Sequence, residues 1–251
     1  MPLLQTKGLT KRFGSFAAVD SVDYHVNEGE IASIIGPNGA GKTTFFNLIT
    51  GEYEASEGTI TFGGSDVTDL EPYERVQRGI GRVFQISNVF PELTTFENVR
   101  LAVQSRETDG QRGIMQKVTD DQEIIDETHD ILEELKLHEN RQTVAANLSY
   151  GNKRRLEIGM AIALDPALLL LDEPTAGLPE EEMHEVSEFI RSVSDDHTIL
   201  LVEHKMDVVM GLSDRISVLH EGELIADGTV DEIRNNERVQ SVYLGEDSIY
   251  A

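Results

Sequence analysis

Two kinds of apolar pattern run along the chain. Continuous runs at 31–35 and 168–171, with another inside HTILLVEHKM at 197–206, are bounded by polar or turn residues and predict strands covered on both faces. Shorter or alternating stretches predict further strands in LLQT, AVDSVDYHV, GTITFGG (ending in its Gly pair) and GIGRVFQ. RISVLHEGELIADG reads as a hairpin with Glu221-Gly222 at its turn. A helical rhythm takes over elsewhere. It predicts a helix in TTFFNLIT closed by Gly51, a short one from Pro72 to Arg78, and one in TTFENVRLAVQ capped by Thr94 or Thr95 with Glu97 in support. EIIDETHDILEELKL is amphipathic, with Ile124, Ile125, Ile131, Leu132 and Leu135 on the side it buries, and His129 and His138 read as surface or capping residues. Further helices run from Ser149 to Asp165-Pro166, from Glu180 to Ser194, and through Met206, Val209 and Met210, with two short ones closing the chain. Residues 107–122 are polar and aperiodic, hence a loop. Buried strands interleaved with helices make this an α/β chain, mainly helical between 88 and 164.

Composition narrows the setting. The 251 residues can bury a sizeable core, and they include no cysteine, so neither disulfides nor thiolate metal sites are available. No apolar run reaches membrane-spanning length, and MPLLQTKGLTKRF lacks the apolar core of a signal peptide. The expectation is a soluble, cytoplasmic protein. Lys and Arg number 21 against 46 Asp and Glu, a formal net charge of −25. Such a surface repels nucleic acid, so none is expected as a partner; Lys153-Arg154-Arg155 is a short basic cluster against that background.

GPNGAGKTT changes the picture. It fits G-x-x-x-x-G-K-[ST] with Gly36, Gly41, Lys42 and Thr43 in the fixed places, between a predicted strand and a predicted helix. The backbone N–H groups from Gly36 through Pro37, Asn38, Gly39, Ala40 and Gly41 to Thr44 (proline excepted) would cradle phosphates at a helix tip. Lys42 would reach the β- and γ-phosphates of ATP, and the Thr43 hydroxyl would take a place on Mg²⁺. Other polar residues end apolar strands, where α/β sheets bind ligands. Asp172 would hold Mg²⁺, Glu173 would polarise the attacking water, and His204 would donate to the γ-phosphate or that water. Gln85 would touch Mg²⁺ or the water, or else merely mark the surface. Ser149 and Gly151 open a helix and offer a second anion site, with the basic cluster adding positive potential or forming a solvated face. Phe13 is read either as core or as a stacking platform for adenine. Glu180 to Glu182 suit the first turn of their helix, where the dipole favours acids.

GPNGAGKTT, Gln85, LSYGN at 148–152, LLLLDEP and His204, in this order and spacing, resemble the ATP-binding cassette family over essentially the whole chain. The resemblance implies a P-loop NTPase (RecA-like) core with a mainly parallel sheet, an antiparallel β subdomain and an α-helical subdomain. Residues 1–87 and 165–251 would form the core, and 88–164 the helical part with the signature turn. It further implies a dimer that closes on ATP, the glycine loop of one subunit facing the LSYGN turn of the other. Tyr150 and Asn152 depart from the usual LSGGQ, and Pro179 stands where the loop after Glu173 usually ends in Asp. RVFQ, LSYGNKRRLEI and the segment from 211 onward look like the ATP-binding subunit of branched-chain amino-acid importers. That implies a second ATPase subunit, two membrane-spanning permeases and an extracellular solute-binding protein, with this chain peripheral on the inner face of the membrane. DNA-repair relatives carry long coiled-coil insertions and ribosome-associated ones two cassettes, features that this chain lacks.

The spread of Asp and Glu also resembles a surface adapted to high salt, an ordinarily acidic protein being the alternative. On the first reading, counterions screen the self-repulsion and the melting temperature rises from low to molar KCl. A flat or falling melting temperature across that series rejects the adaptation.

Overall fold

The computed structural model describes residues 2–83, 89–107 and 122–247. β1 (Pro2–Phe13) and β2 (Phe16–Asn27) form a long antiparallel pair. β1 continues well past the expected LLQT strand because its register slips between Thr6 and Leu9, a bulge around Gly8. Phe13 therefore closes this strand. β3 (Ile31–Ile35) leads into the glycine loop and α1 (Lys42–Thr50), which Gly51 ends in the left-handed conformation. β4 (Glu57–Phe62) pairs with β1, and β5 (Ser65–Asp66) turns back along β4. The Gly63-Gly64 pair is thus a hairpin turn and not the end of a strand.

α2 (Pro72–Gln77), β6 (Ile80–Val83), α3 (Thr95–Glu107), α4 (Gln122–Glu134) and α5 (Tyr150–Ile162) follow. The remainder alternates: β7 (Leu168–Asp172), α6 (Glu180–Val193), β8 (Thr198–Val202), α7 (Met206–Leu212), β9 (Arg215–His220) and β10 (Glu223–Gly228), then α8 (Val230–Arg234) and α9 (Glu237–Asp247). Glu221 and Gly222 both have positive φ, the two-residue turn that the β9–β10 hairpin needs.

The strands form two sheets, one ordered β2-β1-β4-β5 and antiparallel, the other ordered β10-β9-β3-β8-β7-β6. In the second, β9, β3, β8, β7 and β6 are parallel and only the β10 edge is antiparallel. Every residue of β3, β7 and β8 is buried. Successive side chains point to opposite faces. Leu169 and Leu171 pack with Val99, Leu132, Leu156 and Phe189 of the helices α3 to α6. Leu168 and Leu170 pack with Phe45 and Phe46 of α1 and with Leu4, Val26 and Phe62 of the antiparallel sheet. Each such leucine contributes roughly 1.5–3 kcal/mol by leaving water, so a polar substitution at one of them is costly through burial alone. The parallel sheet is the middle layer.

Thr94 is the cap of α3: its hydroxyl accepts from the Glu97 N–H at 3.1 Å while the Glu97 carboxylate accepts from the Thr94 N–H at 2.8 Å. The Thr94 N–H, and after it the Thr94 hydroxyl, donate to the Glu97 carboxylate and hold its pKa below the ordinary value. On α4 the buried stripe is Ile124, Thr128, Ile131 and Leu132, and Leu135 just beyond the helix is buried as well. Ile125, expected among them, is half-buried, whereas Thr128 is fully buried with its hydroxyl donated to the Ile124 carbonyl. His129 is half-buried, its ring 5.1 Å from that of Phe96 and 5.6 Å from that of His138. The expected loop at 107–122 lies outside the described residues except for its two ends, which belong to α3 and α4. Among the described residues no helix is long and apolar enough to cross a membrane.

Candidate active site

The glycine loop is clamped by backbone contacts. A Cβ on Gly36 would collide with the Leu219 carbonyl oxygen, and one on Gly41 with that of Ala18. Glycine is required at both places by close approach as well as by positive φ. The β9–β10 turn buttresses the loop, since the Gly222 N–H donates to Ala40 and the Gly222 carbonyl accepts from Asp20. Lys42 is buried, its ammonium donating to the carbonyls of Gly36 at 2.6 Å and Pro37 at 2.9 Å. Asn38, Gly39 and Thr43 face solvent, while Pro37 and Thr44 are half-buried. Phe13 is 48% exposed and stands edge-on to Tyr53, with the Lys11 ammonium over both rings. Core packing is therefore not its role.

Parallel pairing brings the other strand ends to the same edge. Ile34, Val202 and Asp172 lie in one register across β3, β8 and β7. Asp172 is buried, with one oxygen 3.1 Å from the Arg82 guanidinium. Arg82 also donates to Asn47 at 2.6 Å and Thr50 at 3.3 Å on α1, so it joins the Asp172 carboxylate to the helix of the glycine loop. Glu173 follows with φ of 48°, an uncommon left-handed backbone for a residue with a Cβ. Its carboxylate lies 2.9 Å from Nε2 of His204. Glu203, fully buried, accepts from the backbone N–H of Thr175 at 2.9 Å and from its hydroxyl at 2.6 Å. That bond ties the loop after Glu173 to the residue before His204. Gln85 lies outside the described residues.

The structure sets the glycine loop, Asp172, Glu173 and His204 along one sheet edge, whereas Ser149 and Gly151 lie at the tip of α5. Ser149 caps α5, its hydroxyl accepting from the Asn152 N–H at 3.3 Å. The Gly151 N–H donates to the Glu182 carboxylate of α6 at 2.7 Å. Glu182 is more than a helix-dipole residue. The basic cluster also divides: Lys153 donates to the Ala146 carbonyl and Arg155 pairs with Glu185, whereas Arg154 is buried against the loop after β7. Arg154 belongs neither to a solvated face nor to an anion site. Sequence reasoning missed the parts played by Arg82, Arg154, Glu182 and Glu203. Only Glu203 carried a signal, as a carboxylate straight after an apolar run; the others depend on which strands and helices become neighbours.

Between α2 and β6 on one side and α3 and α5 on the other lies a groove of about 540 Å³, lined by Val76, Val83, Phe90, Leu101 and Met160. Tyr73, Val76 and Phe90 in this region are exposed apolar side chains.

The profile of the ABC transporter family matches residues 19–176, and that of the branched-chain amino acid ATP-binding cassette transporter matches residues 223–248. The chain belongs to the ABC transporter family. Among its relatives are the high-affinity branched-chain amino acid transport ATP-binding protein LivG of Salmonella typhimurium, 42% identical, and that of Escherichia coli K12, 41% identical, each match covering 98% of both chains. The probable LivG of Archaeoglobus fulgidus is 38% identical, over 98% of this chain and 96% of its own. The ADP conformation of an ATP-binding cassette superposes with a TM-score of 0.86 at 32% identity, covering 98% of this chain and 99% of that one. A dimeric cassette in a post-hydrolysis state with ADP and Pi gives 0.75 at 28% identity, covering 90% and 98%.

In the cassette as a single chain, Glu182 fills the anion position at the tip of α5. If that tip meets the nucleotide of a second cassette, Glu182→Ala removes a competing charge. The ATP concentration for half-maximal dimerisation, followed by light scattering, is then expected to fall about two- to fivefold; an unchanged midpoint contradicts this role.

Proposed function

We propose that this cassette is the ATP-binding and ATP-hydrolysing subunit of an importer for branched-chain amino acids. The observation that carries the hydrolytic reading is the Glu173–His204 pair, 2.9 Å apart at the sheet edge that the glycine loop also occupies. The terminal match at 223–248 and the printed names of the relatives support the substrate. The solute itself is carried elsewhere, because such a subunit supplies closure and not a cargo site.

ATP is the substrate of this site. Phe13 offers the adenine ring an exposed aromatic edge beside Tyr53. Lys42 exchanges its bonds to the Gly36 and Pro37 carbonyls for phosphate oxygens, an exchange that keeps its ammonium hydrogen-bonded throughout. The amides from Gly36 to Thr44 bind the phosphates, and Thr43 with Asp172 would hold Mg²⁺. Among the described residues no cluster of three or more acids or histidines could cage a metal alone. That donor set fits Mg²⁺, which when bound would neutralise charge on the phosphates. Glu173 takes the proton of the attacking water as general base. His204 fixes the Glu173 carboxylate and donates to the γ-phosphate; Gln85, next along the chain from β6, is assigned to sensing phosphate occupancy. Ser149 and Gly151 cover the nucleotide of a second ATPase subunit.

The groove between α2, β6, α3 and α5 is the dock for a short cytoplasmic helix of a permease. Two permeases and an extracellular solute-binding protein complete the proposed importer, with the cassette peripheral on the inner membrane face. Residues 88–164 act as its helical arm.

Glu173→Gln is expected to retain ATP binding while turnover falls by about 10²–10⁴-fold; turnover at the wild-type rate removes Glu173 as the base. In mixed dimers, Ser149→Arg in one subunit is expected to silence the site whose glycine loop lies on the other. Loss confined to the mutated subunit's own glycine loop refutes the shared site.

A further inference from the structure

We infer that Arg154 is a positioning residue for Glu173. The inference rests on the reading of Glu173 as the general base. Glu173 holds a left-handed backbone with φ of 48°, which a residue with a Cβ keeps only where its surroundings over-determine it. Arg154 supplies that constraint. Its Nε donates to the Pro174 carbonyl at 3.0 Å, and Nη2 donates to the carbonyls of Asp172 at 2.9 Å and Glu173 at 3.1 Å. Three successive carbonyls of the turn that carries the base are thus gathered by one planar guanidinium. The fourth direction is fixed as well: Nη1 lies 2.7 Å from the Glu157 carboxylate, one turn further along α5. Both side chains of that pair are less than a tenth exposed, so water does not compete for these donors.

The turn has further holds. The Glu173 N–H donates to the Val202 carbonyl on β8, and Glu203 grips Thr175. These fix the chain before and after the turn, whereas Arg154 acts on the carbonyls across it. It is also the hold that comes from α5, the helix whose tip carries Ser149 and Gly151. The base and the turn that covers the second nucleotide are therefore fastened to one rigid element. Pro179 has no side-chain donor or acceptor to make such a link further along the same loop.

A lysine in this place keeps the charge but has no planar fork to span three carbonyls. Arg154→Lys is expected to lower kcat for ATP about tenfold to a hundredfold, the usual consequence of displacing a reacting group by about 1 Å. KM for ATP should stay within about twofold, and the melting temperature should show a folded protein. The distinguishing measurement is single-turnover hydrolysis in the Glu173→Gln background. There Arg154→Lys should cost less than about twofold more, because the group it positions is already gone. Multiplying losses in the double variant, or an equal loss of nucleotide binding, overturn the inference. If Arg154→Lys does not fold, Arg154→Gln is read by the same criteria. When Glu173→Gln is inactive but Arg154→Lys and Arg154→Gln turn over at the wild-type rate, the Arg154 inference alone fails. When Glu173→Gln itself hydrolyses ATP normally, the reading of the base fails and takes this inference with it.

Discussion

The arrangement of this cassette depends on burying a parallel sheet on both faces. Inside β3, β7 and β8 nearly every side chain is hydrocarbon, because helices cover one face and α1 with the antiparallel sheet cover the other. Within them, away from the strand ends, Ser33 is the polar exception, hydrogen-bonded to Ser213, and the charged groups stand where the strands run out. Gly36, Asp172-Glu173 and Glu203-His204 each stand at such an end, and parallel pairing sets those ends along one edge. Gathering the glycine loop and these polar strand ends along one edge follows from the same packing that stabilises the molecule.

The charged groups of the site are matched within the chain. Lys42 is bonded to two loop carbonyls, Asp172 to Arg82, Glu173 to His204 and the Gly151 amide to Glu182. An unmatched buried charge is costly, so groups that meet a ligand need internal partners when it is away. On the proposed function, ligand binding is an exchange of partners, and its free energy is the difference between two satisfied states.

The two halves of the chain meet at the turn after β7. Arg154 reaches it from α5, and Glu203 reaches it from the end of β8. A strained Glu173 is stable between them because guanidinium and carboxylate bind backbone donors and acceptors of opposite kind on either side of it. Arg82 performs a similar service one strand away, linking α1 to β7 through Asn47, Thr50 and Asp172.

The order of elements, the glycine loop and the strand-end residues Asp172, Glu173 and His204 could be read directly along the chain, since period, apolar run length and turn chemistry are local properties. Local pattern was less secure where neighbours decide burial: Thr128 replaced Ile125 on the buried stripe of α4, and β1 ran on through Gly8 to Phe13. Three adjacent basic residues at 153–155 are alike in sequence, yet only Arg154 is buried, because only its direction on α5 meets the turn after β7. The partnerships of Arg82 with Asp172, Glu182 with Gly151 and Glu203 with Thr175 likewise join residues far apart in the chain. Sequence by itself determined which chemistry is present and at which strand ends. Tertiary structure alone decided which charges hold that chemistry in place, because long-range contacts are set by packing direction and not by spacing.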